Sequence, residues 1–167
     1  MRSDKRSAFF MKYSRLTKEQ FDSLSQEFIN FLATQSITAK EWESIKTNEP
    51  KVAEQELDIF SDLVWEGVLS KAEYLENISA QQLFLFRIGE AAMDLIVVKA
   101  TNLEVDISTK EGYTWLQENF ASDEVAFFTA TKDFSEDNKL DIFSLIQQGA
   151  VITKGELYQF FQEILKK

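Results

Sequence analysis

Four acidic residues recur at every fourth position between residues 54 and 66, and a tryptophan stands beside them. On a helix this spacing places all four on one stripe, because each step of four residues advances by only about 40°. No base interrupts the stripe, and a large aromatic beside uncompensated acids is typical of a contact point for a basic protein. The predicted partner-binding residues are Glu54, Asp58, Asp62, Trp65 and Glu66.

The same stripe allows other interpretations. It is a solvated face if Trp65 is covered by a neighbouring helix, or part of a Mg²⁺ or Mn²⁺ hydrolase site if Asp58 and Asp62 gain a further ligand. The spacing from Asp62 to Glu73 also matches an EF-hand calcium loop in part. Val64 then occupies the third position, where an oxygen ligand is needed. We therefore predict no calcium binding, no metal site and no cofactor.

The composition removes most of the usual catalytic groups. The 167 residues contain no histidine and no cysteine. A Ser-His-Asp triad, a thiolate nucleophile and a zinc cage therefore cannot be built. No glycine-rich phosphate loop is visible in the sequence either. The chain is predicted to be non-enzymatic.

One carboxylate lies off the acidic stripe. By the same helical angles, Glu56 points into the apolar arc of its helix, and a buried carboxylate needs a partner. Arg87 is the only arginine after residue 15, and it stands in an apolar run typical of a strand. We therefore predict a structural buried pair between Glu56 and Arg87.

The charge balance narrows the class of partner. The chain has 28 acidic and 18 basic residues, a net charge of −10. Phosphates would be repelled, so we expect a basic protein partner and no direct binding of nucleic acid. A narrower alternative is an inhibitor that mimics nucleic acid and occupies the basic channel of a nuclease or another nucleic-acid-binding protein.

No apolar run reaches 18 residues, so no membrane span is predicted, and we expect a cytoplasmic protein. Its oligomeric state is not indicated.

The start of the chain has the opposite charge. Residues 1–18 contain a single acid, Asp4, and six bases: Arg2, Lys5, Arg6, Lys12, Arg15 and Lys18. Residues 1–10 are predicted to form a flexible basic extension, with Met11 as an alternative start. Residues 11–167 are predicted to form a single domain.

Helix-start signals recur along the chain as Ser or Thr followed three residues later by Glu or Gln, at Thr17, Thr38, Ser70 and Thr153. Together with the apolar spacing they predict helices at about 17–35, 38–49, 51–65 with Gly67 as cap, after Ser70, 109–119, 135–148 and 153–165. Strands are predicted at 83–88, 95–98 and 123–132. The predicted class is α+β. Its N-terminal half, about 11–79, is helical, and its C-terminal half, about 80–167, holds a small, mostly antiparallel sheet with covering helices.

From Met11 onward the chain resembles a family of small acidic bacterial proteins of unknown function. The segments that carry the resemblance are Lys18-Glu-Gln-Phe21, residues 26–35, Phe60-Ser-Asp-Leu-Val-Trp-Glu-Gly67 and Gly149-Ala-Val-Ile-Thr153. The resemblance implies no established activity. Members of the family can bear an automatic label of histidyl-tRNA synthetase, which this sequence does not support because it is short and has few arginines.

Overall fold

The computed structural model describes residues 10–166, so most of the predicted basic extension lies outside the described residues. The chain divides into two compact units, Met1–Val68 and Leu69–Lys167. The described part of the first unit is helical, and the second combines a sheet with helices. The α+β class is confirmed. No described helix is both long and apolar enough to cross a membrane.

Four helices begin within the first unit. They are α1 (Lys18–Ser23), α2 (Ser25–Thr34), α3 (Ala39–Asn48) and α4 (Pro50–Lys71). The single helix predicted over residues 17–35 is broken at Leu24, whose ψ of 25° departs from helical geometry. Thr17 forms the predicted capping box with Gln20, and Thr38 accepts the backbone N–H of Glu41.

An aromatic cluster joins these helices. Phe28 lies at its centre, with ring centroids 5.1 Å from Phe60 and 5.2 Å from Trp42, both in edge-on geometry. Phe21 and Phe31 stack on its margins. Such ring pairs stabilise a small core beyond the area that they bury. The aromatic residues of α1 and α2 therefore pack against α3 and α4.

Helix α4 is longer than predicted. Gly67 lies inside it rather than at its end, and the helix continues to Lys71. The signal at Ser70 starts no new helix, because a strand begins at Tyr74 instead. The EF-hand spacing from Asp62 therefore falls largely within a continuous helix, and Asp62 and Glu66 are not placed by a loop.

The second unit is built on a five-stranded antiparallel sheet with the order β4-β3-β2-β1-β5. The strands are β1 (Tyr74–Ile78), β2 (Gln82–Ile88), β3 (Ala92–Ala100), β4 (Val125–Asp133) and β5 (Val151–Thr153). The three predicted strands are β2, β3 and β4. Strands β1 and β5 were not predicted, because β1 is partly polar and β5 has only three residues.

Three further helices belong to this unit: α5 (Lys110–Asn119), α6 (Asn138–Gln147) and α7 (Glu156–Lys166). Buried residues of the sheet, led by Leu83, Leu85 and Val98, form one core with Leu116 of α5 and Phe161 of α7. These side chains are almost fully removed from water, and their burial is the main stabilising term of the unit.

Candidate functional site

The four acids of the predicted stripe, which we call the acidic row (Glu54, Asp58, Asp62 and Glu66), all lie on α4. They meet an extended segment of the same chain, residues 12–16, which we call the N-terminal segment. This segment precedes α1 and contains two of the bases that the sequence places near its start, Lys12 and Arg15. The described contacts of the row are therefore contacts within one unit.

Asp62 holds the backbone of the N-terminal segment. Its two carboxylate oxygens accept the backbone N–H groups of Lys12, at 2.8 Å, and Tyr13, at 3.0 Å. Hydrogen bonds to an ionised acceptor are the stronger kind. Asp62 thus fixes the direction in which the segment crosses the helix, independently of the segment's side chains.

One turn later, Glu66 binds the side chains of the same two residues. Its Oε1 accepts the phenolic O–H of Tyr13 at 2.8 Å and lies 3.1 Å from Nζ of Lys12. Burial and the neighbouring Glu66 raise the pKa of Tyr13 to about 12, since both disfavour a phenolate. Tyr13 is therefore held as a neutral donor to Glu66.

The opposite end of the segment is fixed by Arg15, whose Nε donates to Oδ1 of Asp58 at 2.6 Å. This contact raises the pKa of the Arg15 guanidinium. The indole N–H of Trp65 donates to the backbone carbonyl of Ser14 at 3.0 Å. Trp65 is thus already used as a donor inside the fold.

An apolar anchor completes this contact. Leu16 is buried, and its backbone N–H donates to the hydroxyl of the fully buried Ser61 at 3.0 Å. The premise that the acidic row is uncompensated is wrong, because Lys12 and Arg15 supply the missing positive charge. No base stands between the acids of the row along the helix, but a segment more than forty positions away supplies two.

The same contacts bear on the metal alternative. The oxygens of Asp58 and Asp62 that a divalent cation would use accept hydrogen bonds from Arg15, Lys12 and Tyr13. Binding a cation there would break those hydrogen bonds and bring it beside the guanidinium of Arg15. The arrangement suits a structural contact better than a metal-assisted reaction.

Glu56 and Arg87 each have a partner within their own unit. Glu56 is fully buried, as predicted, and accepts a hydrogen bond from Nε2 of Gln35 at 2.8 Å. Arg87 is 45% exposed and pairs with Asp94 at 2.6 Å. Asp94 stands directly opposite Arg87 in the β2–β3 register, which the sequence did not reveal. The guanidinium of Arg87 is thus not buried, and its predicted pairing with Glu56, which lies in the other unit, stays a prediction.

The Arg87 contact extends towards β4. The hydroxyl of Thr131 donates to Asp94 at 2.8 Å, and these two donors together lower the pKa of the Asp94 carboxyl. Tyr158 of α7 faces the guanidinium, with its ring centroid 6.0 Å away. This chain of contacts fixes β4 to β3, and every polar group named in it already has a partner.

The first unit also contains an apolar cavity of about 530 Å³. Phe28, Ile29 and Trp42 line it, and its rim carries Glu43 and Lys46, which pair with each other at 2.9 Å. Its size and lining suit an apolar group of small-molecule size. Nothing in the described residues indicates what would fill it.

A different kind of surface lies at the margin of the second unit. Strand β4 is nine residues long and ends the sheet on one side, and its last six residues are all exposed. Phe128, at its centre, is 57% exposed. The described residues provide no strand beyond it. The sequence predicts β4 as a strand, but whether a strand is central or terminal depends on long-range pairing that local pattern does not reveal.

Comparisons with known proteins give a family but no activity. Residues 11–166 match a family described as "Family of unknown function (DUF6495)". No curated protein and no solved structure matches the chain. The match begins at the residue where the resemblance noted in the sequence begins.

Proposed function

Since the chain belongs to a family of unknown function, DUF6495, we propose a role from its surfaces: it is a non-enzymatic interaction protein that binds an extended polypeptide along the outer edge of β4. Strand addition of this kind uses the backbone groups of an edge strand for affinity and its side chains for specificity. The observation that carries the proposal is the length and exposure of β4.

The backbone of β4 supports this role. Glu124 and Phe134 flank the strand and face the two residues that flank β3: the carbonyl of Glu124 accepts the backbone N–H of Thr101, and the N–H of Phe134 donates to the carbonyl of Ala91. In an antiparallel pair the bonded positions alternate, so the even-numbered residues of β4 bond to β3. The odd-numbered Phe127, Thr129 and Thr131 direct their N–H and C=O groups outward. These groups are the ones that an added strand would use.

The side chains of β4 also suit a covering partner. Phe128 and Ala130 are exposed on one face of the strand, and exposed Thr129 and Thr131 occupy the other. Natural edge strands are commonly protected by being short, bulged or highly charged. Strand β4 has one charged residue before its last position, Lys132. Its centre is thus weakly protected, as an edge that receives a partner would be.

A proline substitution tests the proposal. Thr129→Pro removes an outward N–H group and leaves the bonds between β4 and β3, because proline is tolerated on the solvent side of an edge strand. Thr129→Ala is the matched control. We expect polypeptides captured from native lysate by the immobilised chain to be retained by Thr129→Ala and lost with Thr129→Pro, at nearly equal melting temperatures. Equal capture by both variants would refute the role of the edge.

A second candidate keeps the basic partner. The pairs of Lys12 with Glu66 and of Arg15 with Asp58 are about one-quarter to two-fifths exposed, so a basic partner could compete for the acidic row. The double variant Lys12→Gln/Arg15→Gln removes the two charges that occupy the row. It should then capture more basic protein than the wild type. Unchanged capture would leave the acidic row as an internal contact only. The nucleic-acid mimic is a special case, supported by the net charge of −10.

A further inference from the structure

We infer that the polypeptide received by β4 is β4 of a second copy of this chain, paired antiparallel about a two-fold axis at Phe128. This inference rests on the proposed use of the β4 edge and names its occupant. The resulting dimer would contain one continuous sheet of ten strands. Its outer margins would be the two β5 strands, which are only three residues long.

The hydrogen-bond geometry of β4 permits this pairing. An axis at Phe128 brings the outward-facing Phe127 of one copy opposite the outward-facing Thr129 of the other. Those two residues would exchange two backbone hydrogen bonds, and the symmetry repeats them on the other side of the axis. Phe128 would face Phe128 of the second copy in a non-hydrogen-bonded pair, with the two Cα atoms roughly 4.5 Å apart. That is the closest kind of cross-strand pair, and the two exposed rings would cover each other.

The position of Lys132 distinguishes this register. With the axis at Phe128, Lys132 of each copy lies opposite Glu124 of the other, Asp133 lies opposite Asp123 in the turn before β4, and Ala126 lies opposite Ala130. Glu124 and Lys132 are both exposed. The dimer would therefore contain two symmetry-related ion pairs on the face of Phe128, with small residues between each pair and the central rings, whereas the facing aspartates would lie further from the axis and on the opposite face. Opposite charges at facing positions stabilise an antiparallel pair.

Neighbouring registers lose this match. An axis at Thr129 places Lys132 opposite Ala126, and an axis at Ala130 places Lys132 opposite Phe128. Neither pairs the lysine with an acid. Among these three registers only the axis at Phe128 pairs the charges. A strand that is complementary to itself in one register favours a second copy over an unrelated polypeptide, and a two-fold pair closes the exposed edge.

The absence of cysteine from the chain makes a direct test available. In the 167-residue chain, Phe128→Cys places one thiol per copy at the two-fold axis, where the Cα separation suits a disulfide. Mild oxidation should convert most of the chain to a covalent dimer. Ala130→Cys and Ala126→Cys should each cross-link little alone, because the equivalent residues lie several positions apart. An equimolar mixture of these two variants should form the heterodimer.

A second experiment leaves Phe128 unchanged and alters the charges at positions 124 and 132. Lys132→Glu should weaken association about tenfold in sedimentation equilibrium, since two attractive pairs become repulsive. The double variant Glu124→Lys/Lys132→Glu should restore it. Equal cross-linking by all single-cysteine variants, or a charge swap that restores nothing, would overturn the register.

The outcomes also separate this inference from the proposed function. A monomeric chain that still captures polypeptides in a manner blocked by Thr129→Pro would overturn self-pairing and leave the use of the edge intact. A monomeric chain that captures polypeptides equally well with and without Thr129→Pro would overturn both self-pairing and the use of the edge. Cross-linking at residue 128 that disappears in Phe128→Cys/Thr129→Pro supports both.

Discussion

The acidic row of α4 and the outer edge of β4 are both candidate contact surfaces, yet within residues 10–166 only the acidic row is already occupied. The row is bound by the N-terminal segment through backbone, phenol, ammonium and guanidinium donors. The edge of β4 directs backbone groups away from its sheet and exposes Phe128. The more conspicuous sequence pattern therefore belongs to an internal contact, and the less conspicuous one belongs to an open surface.

This difference predicts opposite responses to mutation. Removing groups from the acidic row should cost stability, because they hold the chain's own backbone. Removing groups from the β4 edge should cost association and leave the stability of a single copy nearly unchanged.

The largest effect is expected from Asp58→Asn/Asp62→Asn. The double variant loses the ion pair with Arg15 and the ionised acceptor of two backbone N–H groups. It should unfold with roughly 2–4 kcal/mol less stability, a fall in melting temperature of roughly 5–15 °C for a chain of this size. Glu54→Gln, at an exposed position of the row, is the control and should stay within about 0.5 kcal/mol. A double variant that melts at the same or a higher temperature would show that the carboxylates only repel each other.

A smaller loss is expected from Tyr13→Phe, which removes the hydrogen bond to Glu66. We expect about 1 kcal/mol at neutral pH. The pKa of Tyr13 is raised to about 12 in the fold, above its ordinary value of about 10. The raised pKa therefore contributes stability that is complete below pH 10 and is lost as the pH rises from 10 to 12. The free energy of unfolding, measured by denaturation at several pH values between 10 and 12, should fall less steeply with pH for Tyr13→Phe than for the wild type.

Arg15→Gln should have a weaker effect. The pair with Asp58 is partly exposed, so its loss should cost less than about 1 kcal/mol at low salt and still less at high salt. Lys46→Gln breaks an exposed pair within a single helix and is the matched control. If the difference in free energy of unfolding between Arg15→Gln and the wild type is the same at high salt, Arg15 contributes through the packing of its alkyl stem rather than through its charge.

The smallest effect on stability is expected from Phe128→Ser. This ring is 57% exposed, so a dilute single copy should unfold within about 0.5 kcal/mol of the wild type. Phe127→Ser is the control on the adjacent position. Its ring lies 6.0 Å from that of Phe161 in the core, and its loss should cost roughly 2 kcal/mol or more. Similar losses for both variants would place Phe128 inside the fold.

The sequence predicts local features of this fold well, because they depend on neighbouring residues. The caps at Thr17 and Thr38, the break before Pro50 and strands β2 to β4 all follow from residues within a few positions. Gly67 misled the prediction of the end of α4, because a glycine inside a helix costs only about 1 kcal/mol and packing can overcome that cost.

The candidate site was less predictable, because its contacts join distant parts of the chain. The acidic row and its aromatic neighbour were identified on the right helix face, and the bases of the N-terminal segment were counted. No local pattern shows that Lys12 and Arg15 fold back onto Glu66 and Asp58. Asp94 was not recognised as a partner of Arg87 for the same reason, since it becomes a neighbour only through the β2–β3 register.

Amide hydrogen exchange tests the contrast between the two surfaces in a single measurement. The amides of Lys12 and Tyr13, which donate to Asp62, should be protected at every protein concentration. The outward amides of Phe127, Thr129 and Thr131 should exchange rapidly in dilute protein and become protected as the concentration rises and copies pair. Rapid exchange at Lys12 and Tyr13, together with exchange at β4 that does not depend on concentration, would contradict the account of both surfaces.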